Sequence, residues 1–256
     1  MPHLPDRGVP SGRDRSYWPD AIGNPPGSTD MRLAKPRIDV GLFTNRLEEM
    51  LAFWQQEIGL PFDHMLPLGR GRRQYRHDLL GSVLKINQAR DGVPEAPPSG
   101  YRELLIAREG VAQPVRLRDP DGNRVTLVPP ETKGVRRIGL RLGVRDPEAQ
   151  RRFYGGALQL PEHDGGGFLC GDSVLLVEPD PQAQADLPYE AVGYRYITVQ
   201  VFRTDEEHAA ILARGGREGR APVTLGQVAR ISFVRDPDGN WIEISQRASL
   251  TGSVEP

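Results

Sequence analysis

The chain has 256 residues and a formal net charge of -1, because its 33 Lys and Arg residues are balanced by 34 Asp and Glu residues. This balance excludes the strongly basic surface of a nucleic-acid-binding or acidic-membrane-binding protein. A single cysteine excludes an internal disulfide framework, and no stretch reaches the roughly 20 apolar residues of a membrane helix. The composition predicts a cytoplasmic protein of one large or two ordinary domains, with neither nucleic acid nor a membrane as its partner.

The first 33 residues are rich in Pro, Gly, Asp and Arg and have no apolar period, so we predict a flexible N-terminal arm there. Beyond residue 36 the pattern becomes regular. Apolar residues alternate over 38–42, as in a half-buried strand, and then recur at helical spacing over 47–58. Three short strands are predicted next, at 62–68, 74–79 and 82–87. The sequence therefore predicts a βαβββ unit.

The second half of the chain repeats this order. A strand is predicted around 138–142, a helix over 147–158 and two strands at 168–170 and 173–177. Residues 129–134, with two prolines and a glycine, suit a boundary between the copies. We therefore predict a shortened first domain over 34–130, a second domain over 135–248, and a tail over 249–256.

A duplicated segment fixes the register between the copies. LRDPDGNRVTLV at 117–128 recurs as VRDPDGNWIEIS at 234–245. Asp, Pro, Gly and Asn between two strands predict a tight hairpin turn. Ahead of this turn, the second copy has a predicted helix at 204–214 that has no counterpart in the first copy.

The βαβββ order, the LAFWQQEIGL helix at 51–60, the GSVL strand and the DPDGN turn together resemble the vicinal oxygen chelate superfamily, over residues 37–247. That superfamily includes glyoxalase I, the bleomycin resistance proteins and the extradiol dioxygenases. The resemblance implies an α+β fold of tandem βαβββ modules with curved mixed sheets, in which the second half of the first domain is truncated. It also implies a lyase, isomerase or ring-cleaving dioxygenase acting on an oxygen-rich substrate, or else a metal-free protein that binds and sequesters a small molecule. Either a monomer or a homodimer fits this outline.

The resemblance further implies a divalent metal ion (Fe, Mn, Zn or Ni) held by side chains on the first, fourth, fifth and eighth strands of a domain. In the second domain these positions fall on Arg137, near Glu178, on Tyr196 and on Glu243. An arginine cannot coordinate a metal, so this ligand set is incomplete. Arg137 could pair with Glu243 in place of the ion, or Glu243, Glu178 and Tyr196 could hold a metal. Alternatively, Arg137 and Arg141 could bind a substrate carboxylate or phosphate, with Glu243 as acid or base.

In the first domain the same positions fall on Asp39, Lys85, Glu103 and Thr126, with Asn87 on the face of Lys85. Two carboxylates and an amide could bind a hard cation. The presence of Lys85 among them favours an ion-paired cluster instead.

Two histidines lie on predicted strands of the first domain, His64 and His77. If they face the cleft, either could act as a general base near neutral pH or bind a metal with Asp39 or Glu103. A hydrogen-bonded structural role is the alternative. We therefore predict four catalytic residues, Glu243, Arg137, Tyr196 and His77. The residues predicted to bind substrate are Arg141, Lys85, Asn87, Glu103 and His64. The candidate metal ligands are Glu243, Glu178, Asp39, Glu103 and His77.

Overall fold

The computed structural model describes residues 31–255, so most of the predicted N-terminal arm lies outside the described residues. The first βαβββ unit forms as predicted. Its helix α1 (Leu47–Ala52) continues into a π-helical segment, Phe53–Glu57, that buries Phe53 and Trp54. Its strands are β1 (Leu33–Phe43), β2 (Phe62–Gly69), β3 (Arg72–Leu79) and β4 (Ser82–Ala89).

The segment that follows holds only three strands before the boundary region. They are β5 (Tyr101–Ala107), β6 (Val115–Arg118) and β7 (Arg124–Val128). No helix lies between β5 and β6 in this described segment, which matches the predicted truncation of the first copy.

The second copy begins with β8 (Ile138–Val144) and helix α2 (Pro147–Arg151), which continues as a π-helical segment, Arg152–Ala157. Asp146 caps α2, since its side chain accepts hydrogen bonds from two backbone N–H groups of the first turn, and a proline occupies the first helical position. The remaining elements are β9 (Gly167–Cys170), β10 (Ser173–Pro179), β11 (Gly193–Val201), α3 (Thr204–Ala213), β12 (Arg217–Leu225), β13 (Ala229–Arg235), β14 (Trp241–Arg247) and α4 (Ala248–Thr251). Helix α3 is the predicted helix without a counterpart in the first copy.

The strands assemble into two mixed sheets, and each sheet takes strands from both halves of the chain. The eight-stranded sheet has the order β12-β13-β14-β11-β1-β4-β3-β2. The six-stranded sheet has the order β6-β7-β5-β8-β10-β9. The two clefts are therefore not built from the sequential domains 34–130 and 135–248. The first and last quarters of the chain form one sheet, and the two middle quarters form the other.

Strand register brings residues from opposite ends of the chain together at the centre of the eight-stranded sheet. Antiparallel β1 and β11 place Asp39 opposite Thr198, and parallel β11 and β14 place Thr198 opposite Glu243. Beside them, parallel β1 and β4 place Gly41 opposite Lys85. A Cβ atom at Gly41 would lie 2.1 Å from the ring of Tyr196, so a glycine here makes room for that ring.

Both DPDGN segments form hairpin turns, as predicted. They join β6 to β7 and β13 to β14, which are antiparallel pairs. Gly122 and Gly239 have φ values of 82° and 80°, the left-handed conformation that favours glycine. The first aspartate of each turn, Asp119 or Asp236, accepts hydrogen bonds from the backbone N–H and the side-chain amide of the asparagine that ends it.

A continuous apolar core joins the two sheets and the helices. Its largest members include Trp54 and Tyr154, one from each π-helical segment, and Leu104 of β5. Cys170 is also part of this core, and burial raises the pKa of its thiol to about 12. Among residues 31–255, no helix is both long and apolar enough to cross a membrane.

Candidate functional site

The eight-stranded sheet encloses a cavity of about 500 Å³. All eight strands contribute to its walls, together with the loop that precedes β11. Alternate residues of β3, β4, β13 and β14 line it, as expected for one face of a pleated sheet. The polar and charged lining residues are Arg72, Gln74, Arg76, Lys85, Asn87, Tyr189, Glu190, Tyr196, Gln200, Arg220, Glu243, Ser245 and Arg247.

An ion pair lies at the centre of this cavity. The Lys85 Nζ atom donates to Glu243 Oε2 at 2.7 Å and to Thr198 Oγ1 at 2.5 Å. The Thr198 hydroxyl donates in turn to Glu243 Oε2 at 2.6 Å. Glu243 Oε2 thus accepts two hydrogen bonds, whereas Glu243 Oε1 accepts none from the described part of the chain. Burial lowers the pKa of Lys85, and Glu243 and Asp39 oppose this only in part.

Asp39 lies behind the ion pair and supplies a second buried negative charge. Its carboxylate accepts from Lys35 Nζ at 2.7 Å, from the Val83 N–H at 2.9 Å and from Gln200 Nε2 at 3.1 Å. Burial alone would raise the pKa of Asp39, but the nearby charges of Lys35 and Lys85 outweigh it and lower the pKa. Asp39 is therefore an anion that helps to keep Lys85 protonated.

A group of amides surrounds the Tyr196 hydroxyl on one wall. Gln74 Nε2 and Asn87 Nδ2 both donate to it, at 3.3 and 3.2 Å, and Gln74 also donates to Asn87 Oδ1 at 3.0 Å. The Arg76 guanidinium donates to Gln74 Oε1 at 2.7 Å. Burial raises the pKa of Tyr196, so its phenol is neutral and fixed in place.

A cluster of aromatic rings that includes Tyr196 forms another part of the cavity wall. Tyr189 packs against the rings of Tyr196, Phe233 and Trp241, with centroid distances of 5.0–5.4 Å. The guanidinium of Arg220 lies 4.6 Å from the centroid of Tyr189, within cation–π distance. This wall can pack against a flat apolar group.

Positive charge exceeds negative charge around the cavity. Arg72 pairs with Glu190 at 2.6 Å, and Lys85 pairs with Glu243. Within residues 31–255, Arg76, Arg220 and Arg247 also line the cavity but have no carboxylate within 4.0 Å. The cavity therefore favours anionic molecules.

The six-stranded sheet forms a second, more polar cleft of about 810 Å³. Arg141 lies at its centre, 2.8 Å from Glu103 and in contact with Glu178. The Thr126 hydroxyl donates to Glu103. Both clefts thus contain a cation, carboxylates and a threonine at their centre.

The chain's sequence and fold were compared with known proteins. Residues 137–244 match the model of the Glyoxalase/Bleomycin resistance protein/Dioxygenase superfamily. Over these residues the chain is similar to members of that superfamily. A search of the curated proteins found no match.

The similar solved structures extend the likeness to the fold of the whole described chain. A glyoxalase I mutant from Zea mays matches with a TM-score of 0.65 and 13% identity, covering 85% of this chain and 95% of that one. A putative dioxygenase from Bacillus subtilis subsp. subtilis str. 168 matches with a TM-score of 0.61 and 13% identity, covering 82% and 84%. The cppA protein from Streptococcus pneumoniae TIGR4 matches with a TM-score of 0.51 and 8% identity, covering 82% and 97%.

The divalent metal ion that this superfamily implies does not fit the residues present. Among residues 31–255, no group of three or more His, Cys, Asp or Glu side chains converges as a metal site would require. At the centre of the cavity, the acceptor atoms of Glu243 and Thr198 already hold the ammonium of Lys85. An ammonium among these oxygens supplies the positive charge that an ion would otherwise bring. The predicted metal ligands are divided between the two clefts and the core.

The structure regroups the predicted site residues. Arg137 does not pair with Glu243, because Arg137 immediately precedes β8 of the six-stranded sheet whereas Glu243 lies on β14 of the eight-stranded sheet. The Arg137 guanidinium is partly exposed and donates to the Leu80 carbonyl at 3.2 Å, with Asp172 at 3.6 Å. Arg141 is also separated from Glu243 and belongs to the second cleft. Lys85, predicted in the other domain, is the true partner of Glu243.

Neither predicted histidine lies in the cavity. His77 is fully buried and points away from the cavity, where its Nε2 lies 3.0 Å from Gln55 Nε2 and its ring packs against Phe62. Burial lowers its pKa, so it is neutral and structural. His64 is half-exposed and pairs with Asp63 at 2.9 Å. Arg76, next to His77 in sequence, lines the cavity instead.

Sequence reasoning identified Glu243, Tyr196, Lys85 and Asn87 but missed several residues of the same cavity. The residues not predicted include Arg76, Gln200, Arg220 and Arg247 on its walls, and Thr198, which donates to Glu243. A period of two was the available signal, since Thr198 and Gln200 follow Tyr196 on alternate positions of one strand. Arg76 was missed because the neighbouring histidine was placed on the cavity face.

Proposed function

We propose that this chain is a metal-independent enzyme of the lyase or isomerase type, which moves a proton on a small oxygen-rich molecule in the cavity of the eight-stranded sheet. One observation supports this most: Glu243 has one carboxylate oxygen fixed by Lys85 and Thr198, and it lines the cavity with the other free. A carboxylate held in this way has the position of a general base.

In the proposed step, Glu243 Oε1 takes a proton from a carbon next to a carbonyl group. The electrons of the broken C–H bond form a C=C bond, and the carbonyl electrons move onto oxygen to give an enolate. Glu243 then returns the proton to the same or a neighbouring carbon. The step is balanced and needs no oxidant.

Lys85 has the position to stabilise the enolate oxygen. Its ammonium uses two protons for Glu243 and Thr198, which leaves one for a ligand oxygen. The burial of this cation strengthens its interaction with a developing negative charge. Lys85 thereby supplies the electrostatic stabilisation that a bound metal ion gives in metal-dependent enzymes.

The test is hydrogen–deuterium exchange, followed by NMR, with 2-oxobutyrate and its neutral analogue 2-butanone as probes. We expect the protein to accelerate exchange next to the carbonyl of at least one probe, with or without EDTA. Glu243→Gln should slow it by roughly 100-fold or more, the usual effect of losing a general base. Glu103→Gln in the second cleft is the matched control and should leave the rate unchanged.

A metal-free binding protein is the second candidate. The Lys85–Glu243 pair favours it, because the two charges satisfy each other and make the centre stable without chemistry. Saturable binding of a probe with no exchange above background would support this second candidate and contradict the enzyme. Exchange abolished by EDTA and restored by a metal ion would contradict both.

A further inference from the structure

Arg76 is an arginine buried in the cavity, and no carboxylate of residues 31–255 lies within 4.0 Å of its guanidinium. It is 4% exposed, lines the cavity and donates to Gln74 Oε1, a neutral acceptor. Its Nε has no hydrogen-bond partner in residues 31–255. An unsatisfied buried guanidinium donor is costly, so a ligand acceptor that meets it would bind favourably.

A second arginine, Arg247, lines the same cavity and also has no carboxylate within 4.0 Å among the described residues. Burial lowers the pKa of Arg247, and the like charge of Arg76 lowers it further. Both side chains line the same cavity of about 500 Å³, so their like charges oppose each other there. A bound anion would remove this repulsion.

A buried acceptor lies unused in the same cavity. Gln200 is 2% exposed, and its Oε1 has no hydrogen-bond partner in the described chain. Its orientation is fixed, because its Nε2 donates to Asp39, whose ionised carboxylate can only accept. Gln200 Oε1 therefore requires a donor, such as a hydroxyl group.

We propose that the substrate is a small hydroxycarboxylic acid whose carboxylate binds Arg76 and Arg247 and whose hydroxyl donates to Gln200 Oε1. This rests on the proposed function only in that the same cavity is used. Carboxylates match the planar fork of arginine, and two guanidinium groups can bind one. The cavity of about 500 Å³ leaves space for an apolar or aromatic remainder against Tyr189 and Phe233.

Mandelate has these three groups, and its analogues remove them one at a time. Methyl mandelate lacks the charge, phenylacetate lacks the hydroxyl group, and inorganic phosphate keeps only an anion. We expect calorimetric titration of the full chain to give binding of mandelate, with roughly tenfold or greater loss for methyl mandelate. Phenylacetate should also bind more weakly than mandelate, and phosphate should not compete.

Arg76→Gln should weaken mandelate binding by roughly tenfold or more. The matched control is Arg73→Gln, which removes an exposed arginine from the opposite face of the same strand. If R76Q does not fold, as judged by circular dichroism, Arg247→Gln provides the same comparison. Mandelate should still bind to E243Q. This variant therefore tests carboxylate binding by Arg76 and Arg247 separately from proton transfer.

Equal binding of mandelate and methyl mandelate, or unchanged binding in R76Q, would overturn the inference, as would no mandelate binding at millimolar concentration. Phosphate binding as tight as mandelate would overturn the carboxylate class. Exchange on 2-butanone without mandelate binding would contradict this inference alone. Mandelate binding without exchange on any probe would contradict the proposed enzyme alone.

Discussion

Lys85 and Glu243 form an ion pair that is nearly excluded from water, with side chains 4% and 11% exposed. Removing two charges from water is costly, and their mutual attraction offsets this only when the remaining hydrogen bonds are satisfied. Thr198 supplies one of these bonds to the carboxylate, and Asp39 adds a second negative charge behind the ammonium. Removing only one partner should therefore destabilise the protein most, because the other charge is left buried and unpaired.

We predict that Lys85→Met destabilises the protein by about 3–5 kcal/mol, because Glu243 is left buried without its cation. The double variant Lys85→Met/Glu243→Leu should recover most of this loss, since no charge remains unpaired. Urea unfolding at neutral pH measures both changes. The control is Arg72→Met, which breaks a more exposed pair with Glu190 and should cost at most about 1 kcal/mol. Equal losses in both single variants would contradict the prediction.

At the scale of single elements, the DPDGN hairpin places a carboxylate in the protein interior. Asp236 is fully buried at the turn, where it accepts from the Asn240 N–H at 2.8 Å and from the Tyr154 hydroxyl at 3.3 Å. Burial raises its pKa to about 6, against which the Asn240 hydrogen bonds act only in part. Asp119 in the other turn has its pKa raised to about 6 for the same reason.

These raised pKa values predict a loss of stability as pH rises. Between about pH 4 and pH 6 the folded chain binds more protons at Asp236 than the unfolded chain does. The stability of the wild type relative to Asp236→Asn should therefore fall by about 3 kcal/mol between pH 3.5 and pH 7. Urea unfolding across this range measures the difference, and Asp91→Asn controls for the loss of one carboxylate. A difference that stays flat or rises with pH would contradict the prediction.

At the scale of the whole molecule, each sheet combines strands from both halves of the chain, and this arrangement determines how the chain folds. The eight-stranded sheet joins β1–β4 to β11–β14, and the six-stranded sheet joins β5–β7 to β8–β10. The central β1–β11 pair connects residues about 160 positions apart, such as Asp39 and Thr198. Neither half of the sequence contains a complete sheet, whereas a single chain completes both.

We predict that residues 31–130 and 135–256, expressed separately, do not fold as monomers, because each would expose the strand edges and core that the other covers. Mixed or co-expressed, the two fragments should recover the circular dichroism of the intact chain. The intact chain should unfold in one cooperative transition by both circular dichroism and fluorescence. A monomeric fragment 135–256 with its own cooperative transition would contradict the prediction.

Local chemistry made most elements predictable. The first βαβββ unit follows from its apolar period and both hairpin turns follow from their turn residues, which act within a few positions of the chain. The cavity residues were only partly predictable. Glu243 was identified because the DPDGN turn fixes its register, whereas Arg76 was missed because register alone does not decide which face of β3 lines the cavity.

The sequence by itself determined the elements, the duplication and the direction of Glu243, because each depends on contacts between near neighbours. Only the tertiary structure decided that Glu243 meets Lys85 and not Arg137, and that Arg141 meets Glu103. Those pairings follow from which strands share a sheet. Strand pairing is set by the burial of apolar faces across the whole chain, and the two copies can satisfy it either in sequence order or interleaved. The chain adopts the interleaved order, which places an ion pair at the centre of each cleft.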